Sequence, residues 1–206
     1  MILYIHGFGG SKNGRSTTLL RKHLNFRVEG LDYDARDPEA AIEHLTEQCE
    51  KYEKKLNYKD FSNNQLLLLG SSLGGFYAAQ VAAKIECKLV LFNPSLNPEV
   101  SLQKYKGTEI STPTGERIFK SEHVTKYDKY SGESMIKTFE TLRRNQFGID
   151  LITTNDPIVD PTYSQKICKG FSDQTHFKNI NEHRLTEEAV LASKEDISKY
   201  YHAIWG

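Results

Sequence analysis

The stretch LLLLGSSLGGFYA, which runs from Leu66 to Ala78, decides the fold class of this 206-residue chain. Its four leucines form a run that is apolar on both faces, as a central strand of a parallel sheet requires. A turn rich in glycine and serine follows, and the residues from Leu73 to Lys84 are typical of a helix. The stretch therefore predicts a β-strand, a sharp turn and an α-helix.

The turn has the Gly-x-Ser-x-Gly spacing of a nucleophile elbow, with Gly70 and Gly74 on either side of Ser72. In such an elbow the serine lies on a strained turn, and small residues two positions away let the backbone bend. Ser71 does not fit, because leucines occupy the corresponding positions around it. A glycine-rich turn that only packs tightly or holds a phosphate is the alternative. The strand before the turn and the helix after it favour Ser72 as a nucleophile.

Short apolar runs and helix-like stretches alternate along the whole chain, which is typical of a mostly parallel sheet with helices on both faces. Strands are predicted at residues 2–5, 26–31, 66–69, 89–92 and 149–153, with a last strand-like stretch at 166–171. Helices are predicted at residues 17–24, 38–56, 73–84 and 194–204. These elements predict an α/β-hydrolase fold, as a single domain over residues 1–206.

Residues 96–130 differ from the rest of the chain, because they are polar, rich in Tyr and Lys, and interrupted by proline and glycine. We expect them to form a small cap insertion above the sheet, called the cap segment below. Its aromatic residues are predicted to pack the cap segment onto the domain or to line an acyl pocket; they are Tyr105, Phe119, Tyr127 and Tyr130. The cap segment has no long amphipathic apolar helix, so an interfacial lipase is not predicted.

Composition and charge indicate an ordinary soluble protein, since 27 basic residues balance 27 acidic residues. Neither nucleic acid nor membrane insertion is therefore predicted. The three cysteines, Cys49, Cys87 and Cys168, are scattered and form no CxxC pair, which favours a reducing compartment. No signal peptide and no apolar run of the ~20 residues that span a bilayer are visible. We expect a cytoplasmic location.

A second glycine-rich loop, His6-Gly7-Phe8-Gly9-Gly10, follows the first predicted strand. In hydrolases of this fold, a loop at this position supplies one backbone N–H group of the oxyanion hole, and the residue after the nucleophile supplies the other. We therefore predict that the amides of Phe8 and Leu73 form the oxyanion hole. His6 is expected to brace the loop through hydrogen bonds rather than to act as a base.

The base is sought after the nucleophile, because this fold places its catalytic residues in the order serine, acid, histidine. Four histidines follow Ser72 in the sequence, namely His123, His176, His183 and His202. His123 precedes any candidate acid, and His202 lies in the terminal helix. His176 comes in a loop after the last strand-like stretch, so it is the predicted base, with His183 as the alternative.

Two aspartates, Asp156 and Asp160, follow the strand predicted at residues 149–153. Functional groups of open α/β sheets lie at the carboxyl ends of the strands. Asp156 is nearer to the strand end, and it is the predicted acid. Asp160 directly precedes Pro161, an arrangement that is more typical of a helix cap.

Together these motifs resemble the YqiA/YcfP family of small bacterial α/β-hydrolase esterases. The matching stretches are LYIHGF at 3–8, GSSLGGFYA at 70–78, FNPS at 92–95, PTG at 113–115 and YD at 127–128. The resemblance implies a triad of Ser72, Asp156 and His176, esterase activity on acyl esters including acyl-CoA thioesters, and no cofactor. The chain departs from the family pattern before His176, where Asp173-Gln174-Thr175 replaces the usual glycine and the preceding stretch is several residues short.

The sequence thus predicts a serine hydrolase that cleaves a small-molecule carboxylic ester or acyl thioester through a covalent acyl-enzyme. A peptidase or amidase is an alternative, because the same triad serves both and the shape of the pocket selects the leaving group. A non-catalytic ligand-binding module on this fold is a further alternative, against which the complete set of three residues argues. No metal or other cofactor is expected.

Overall fold

The computed structural model describes residues 1–56, 66–144 and 149–202. The strands are β1 (Ile2–Ile5), β2 (Val28–Leu31), β3 (Leu67–Ser71), β4 (Lys88–Phe92), β5 (Glu109–Thr112), β6 (Gly115–Ile118), β7 (Ile149–Thr154) and β8 (Gln174–Lys178). Six of them form a parallel sheet in the order β2-β1-β3-β4-β7-β8. The remaining two, β5 and β6, pair as an antiparallel hairpin within the cap segment.

Helices lie on both faces of this sheet. They are α1 (Arg15–His23), α2 (Pro38–Leu56), α3 (Leu73–Ile85), α4 (Pro98–Ser101), α5 (Ser121–Thr125), α6 (Glu133–Arg144), α7 (Pro161–Cys168) and α8 (Glu187–His202). None of the helices in the described ranges is long and apolar enough to cross a membrane.

The sheet separates two apolar cores, and β3 contributes to both because its side chains alternate between the faces. Leu68 packs in the core that includes side chains of α2, α3 and α6. Leu67 and Leu69 pack in the core that includes side chains of α1 and α8. All these leucines are fully buried, which explains the uninterrupted apolar run in the sequence.

The cap segment packs onto the first of these cores through its aromatic residues. Phe119 and Tyr127 are fully buried, and the Tyr127 hydroxyl donates a hydrogen bond of 2.8 Å to the carbonyl of Ala35. Tyr105 is only partly buried, and its ring stacks on Phe8 with 4.5 Å between the ring centroids. Packing thus accounts for two of these aromatic rings, whereas Tyr105 lies beside the loop that follows β1.

Most predicted elements coincide with the structure. The five predicted strands correspond to β1, β2, β3, β4 and β7 within two residues at each end, and helix 38–56 coincides with α2. The helix predicted at 194–204 lies within a longer α8, and its last two positions fall outside the described residues.

The prediction of a strand at residues 166–171 is wrong, because residues up to Cys168 belong to α7 and the last strand begins only at Gln174. The Asp160 side chain caps α7 by accepting a hydrogen bond from the Thr162 amide, and Pro161 occupies the first turn. The apolar residues near the start of this stretch, Ile167 and Cys168, belong to the buried face of a short helix.

Candidate active site

Ser72 lies at the tip of the turn between β3 and α3, at the carboxyl edge of the sheet. Its φ of 53° and ψ of −126° are a strained conformation for a residue with a side chain. Glycine is required two positions before and two positions after Ser72. A Cβ atom on Gly70 would lie 2.4 Å from the Gly74 carbonyl oxygen, and one on Gly74 would lie 2.1 Å from the Ile5 carbonyl oxygen.

The hydroxyls of the two neighbouring serines have different partners. The Ser71 Oγ atom is 2.6 Å from the buried Tyr4 hydroxyl. The Ser72 Oγ atom instead lies 2.8 Å from Nε2 of His183. Only the second serine therefore has a potential base within hydrogen-bond distance among the described residues.

His183 connects Ser72 to Asp156. Its Nδ1 atom lies 2.7 Å from Oδ2 of Asp156, whose side chain is fully buried. The other carboxylate oxygen of Asp156 accepts hydrogen bonds from the backbone amides of Ile158 and Val159, at 2.7 and 2.9 Å. These amides fix the carboxylate, and the carboxylate fixes the orientation of an imidazole that is only 9% exposed.

The loop that carries His183 is anchored to the ends of β4 and β7. The Asn93 side-chain amide, directly after β4, donates hydrogen bonds of 2.8 Å to both the Glu182 carbonyl and the Thr154 hydroxyl. In return, Asn93 Oδ1 accepts a 2.9 Å bond from the Thr154 amide, and the Thr154 hydroxyl donates to the Glu182 carbonyl. This buried network holds the backbone beside His183 across the edge of the sheet.

The predicted placement of His176 beside Ser72 is wrong. His176 lies within β8, paired with Ile152 of β7, and its Nδ1 atom is 3.2 Å from Oδ1 of Asp196 on α8. Because β8 is three strand positions away from β3, roughly 14 Å at the usual strand spacing, a histidine side chain in it cannot reach Ser72. His183 satisfies the sequence rule instead, since it lies in the loop after the true last strand.

The two aspartates are placed as the sequence predicts, in that Asp156 lies in the hydrogen-bond chain with Ser72 and Asp160 does not. Besides the Thr162 amide, Asp160 accepts a 2.7 Å bond from the Thr162 hydroxyl. These bonds lower the pKa of the exposed Asp160 carboxyl. Asp160 therefore acts as the cap of α7.

The loop His6–Gly10 passes directly against the elbow. A Cβ atom built on Gly7 would lie 3.1 Å from Ser72 Cβ and 3.6 Å from its Oγ atom. The next amide along, that of Phe8, and the amide of Leu73, at the start of α3, donate no backbone hydrogen bond within the described residues. The first amides of a helix have no intrahelical acceptor, so Leu73 is free to bind an anion.

His6 braces this loop. Its ring stacks on Tyr33, its Nδ1 atom is 2.9 Å from the Gly7 carbonyl oxygen, and its Nε2 atom is 3.4 Å from Oδ1 of Asp32. The contact with His6 is the main cause that lowers the pKa of the Asp32 carboxyl, although burial opposes it, and Lys12 adds to the lowering. His6 thus contacts the loop and an anchoring carboxylate rather than Ser72.

A cavity of about 230 Å³ opens over Ser72 and His183. It reaches from the loop His6–Gly10 to the first turn of α1 and is bordered by Tyr105 of the cap segment. A much smaller hollow of about 10 Å³ also borders Ser72, next to Leu73 and Val159. No three His, Cys, Asp or Glu side chains in the described parts of the chain are grouped so that they could hold a metal ion.

Sequence reasoning missed the placement of His183 and the contribution of Asn93. The pair Asp160-Pro161 is a usable signal for the placement of His183. A helix that starts there moves the last strand beyond Cys168 and leaves His183 as the histidine that follows this strand. The FNPS stretch at 92–95 is a signal for the contribution of Asn93, although spacing alone does not reveal which backbone Asn93 binds.

The family described as "Uncharacterised protein family (UPF0227)" matches residues 1–188. A UPF0227 protein of Citrobacter koseri is 25% identical over 191 residues, which cover 89% of this chain and 94% of that protein. The UPF0227 protein YcfP of Escherichia coli is 25% identical over 185 residues, with the same coverage of 89% and 94%.

Solved structures with the same architecture are much less similar in sequence. Est1E from Butyrivibrio proteoclasticus matches with a TM-score of 0.67 at 17% identity, covering 98% of this chain and 88% of that one. The monoacylglycerol lipase of Paleococcus ferrophilus matches with a TM-score of 0.63 at 15% identity, covering 98% and 93%. At these identities the similarity establishes the shared fold, and it confirms the predicted α/β-hydrolase fold.

Proposed function

Because this chain belongs to the UPF0227 family, which includes YcfP, and has the α/β-hydrolase fold, we propose that it is a serine hydrolase of carboxylic esters or acyl thioesters. The observation that carries the proposal is the continuous chain of hydrogen-bond distances from Ser72 through His183 to Asp156. The names of the structural neighbours, which include an esterase and a lipase, support esters over amides.

In the proposed reaction, Ser72 Oγ attacks the carbonyl carbon of the substrate while His183 Nε2 accepts the hydroxyl proton. The buried Asp156 carboxylate holds the imidazole with its proton on Nδ1, so that Nε2 is free to act as the base. The same carboxylate stabilises the imidazolium that forms. His183 then gives the proton to the leaving alcohol or thiol, which departs and leaves an acyl group on Ser72.

Water completes the cycle. His183 takes a proton from the water, the resulting nucleophile attacks the acyl carbon, and Ser72 leaves with that proton. Both steps pass through a tetrahedral oxyanion, for which the amides of Phe8 and Leu73 are the proposed donors. Loss of one such donor typically reduces the rate by ~10²–10³-fold.

The strained turn at Ser72 contributes to this chemistry. A serine held at positive φ between β3 and α3 projects its hydroxyl above the sheet edge, where a substrate has access. The strain is maintained by the close packing of Gly70 and Gly74, so that the hydroxyl is already oriented before a substrate binds.

Hydrolysis of 4-nitrophenyl butyrate by matched serine variants tests the proposal. We expect Ser72→Ala to abolish turnover and Ser71→Ala to retain most of it, because Ser71 is bonded to Tyr4 rather than to His183. Circular dichroism checks that both variants are folded. Undiminished turnover in folded Ser72→Ala would refute the proposed nucleophile.

A further inference from the structure

The cavity above Ser72 is lined by two cationic side chains, Arg15 at the start of α1 and Arg184 directly after His183. Among the described residues no Asp or Glu lines this cavity, although the chain as a whole has equal numbers of acidic and basic residues. The Asp156 carboxylate lies behind His183 and is bonded to it, so the two arginines are the charged side chains that face the cavity from its described lining.

Both guanidinium groups are available to a ligand. The guanidinium groups of Arg15 and Arg184 make no ion pair and no hydrogen bond within residues 1–56, 66–144 and 149–202. By contrast, Arg21, Arg27 and Arg36 all pair with a neighbouring carboxylate. Partial burial raises the pKa of the Tyr105 phenol, the charge of Arg184 opposes this rise, and the Asp156 carboxylate adds to it, so the charge of Arg184 acts on the cavity lining.

The position of His183 tells which part of a substrate would face these arginines. In the proposed mechanism, His183 gives its proton to the leaving group, so the leaving group must lie on the side of His183. His183 lines the cavity with the two arginines, whereas the small hollow next to Leu73 lacks it. The leaving group would accordingly point toward Arg15 and Arg184, and the acyl group away from them, on the side of Leu73.

We propose that the substrate carries an anionic oxygen group, a carboxylate or a phosphate, on its leaving group, and that Arg15 and Arg184 bind this group. Guanidinium groups suit such anions because they donate paired hydrogen bonds of fixed geometry. The proposal rests on the proposed hydrolase activity and specifies its substrate class.

The test compares aryl acetates that differ only in the charge of the leaving group. The purified full-length chain is assayed with 4-acetoxybenzoate and its neutral analogue 4-acetoxybenzamide, and with 4-acetoxyphenyl phosphate to distinguish phosphate from carboxylate. Each rate is divided by the rate of alkaline hydrolysis, which removes differences in leaving-group reactivity. We expect the corrected kcat/KM to be about 3- to 10-fold higher for at least one anion than for the amide, as suits partly exposed ion pairs.

Arginine variants assign the effect to these side chains. Arg15→Gln and Arg184→Gln should each lower the anion-to-amide ratio about threefold, and Arg184→Lys should retain part of it. Arg27→Gln is the matched control for net charge, because Arg27 precedes the amino end of β2, at the edge of the sheet opposite to the site. It should leave the ratio unchanged. Added salt should lower the wild-type ratio through screening.

The outcomes separate this inference from the hydrolase proposal. Turnover of the neutral amide analogue with no preference for either anion would overturn the inference while leaving the hydrolase intact. An anion-to-amide ratio that stays at the wild-type value in both glutamine variants would also overturn it. So would a preference confined to a carboxylate on the acyl group, which is measured by comparing 4-nitrophenyl hydrogen adipate with 4-nitrophenyl heptanoate. Absence of turnover with every ester would instead refute the hydrolase proposal itself.

Discussion

The Nε2 atom of His183 lies 2.8 Å from the Oγ atom of Ser72, although 111 positions separate the two residues in the chain. Ser72 follows β3, whereas His183 follows β8 at the far edge of the sheet. The loop after β8 returns across the carboxyl ends of β7 and β4, where Thr154 and Asn93 bind its backbone.

The two candidate histidines should differ sharply in mutational effect. We expect His183→Ala to lower kcat for 4-nitrophenyl butyrate by about 10⁴-fold or more, because Ser72 loses its base. His176→Ala should retain most activity, since His176 lies in the edge strand β8 and contacts Asp196 of α8 rather than Ser72. Steady-state kinetics on both folded variants decide between them. The reverse order of effects would mean that β8 and its loop are placed incorrectly.

The two aspartates offer a second matched pair. Asp156→Asn should keep the fold but lower kcat by roughly 10⁴-fold, because the amide favours the wrong imidazole tautomer. Asp160→Asn should leave kcat nearly unchanged, because asparagine caps a helix about as well as aspartate. Kinetics and thermal melts of both variants separate catalysis from stability. Normal turnover in Asp156→Asn would exclude it as the residue that orients His183.

Asn93 should act as a positioning residue for the His183 loop. We expect Asn93→Ala to lower kcat about 10- to 100-fold with little change in KM, because buried carbonyl and hydroxyl groups at Glu182 and Thr154 lose their donor. The exposed Asn179→Ala is the control, and it should behave as wild type. A change in KM alone would indicate that Asn93 affects substrate binding and not the alignment of His183.

The cysteines should be unreactive in the folded protein. Burial raises the pKa of Cys49 and of Cys168 to about 12, and it raises the pKa of Cys87 as well. Ellman's reagent should therefore label none of the three thiols at pH 8 and all of them in concentrated urea, since the thiolate is the reactive form. Rapid labelling without urea would show that the core around these cysteines is open.

The sequence was most informative where local patterns are forced by packing. The leucine run before Gly70 and the glycines around Ser72 are set by a strand buried on both faces and by contacts too short for any Cβ atom. These constraints act within a few residues, so they are visible in the sequence. The same holds for Asp156, which follows β7 by two positions.

The histidine was harder to predict because its position depends on contacts between distant segments. A buried amphipathic helix end and a short edge strand look alike over five or six residues, so the pattern at 166–171, which includes the end of α7, predicts a strand and the pattern of β8 predicts a loop. With the last strand placed too early in the chain, the sequence predicts His176 as the base instead of His183. The role of Asn93 depends on a loop 90 residues further on, which no local pattern reveals.

Whether Ser72 is a nucleophile activated by His183 is tested most directly by mapping the residue that a fluorophosphonate probe modifies. The probe reacts covalently with a serine activated by a base, so peptide mapping by mass spectrometry identifies the nucleophile without knowledge of the substrate. We predict one adduct on Ser72, which is abolished by Ser72→Ala and strongly slowed by His183→Ala but not by His176→Ala. Absence of labelling of the folded wild-type protein, or an adduct on Ser71, would contradict the account.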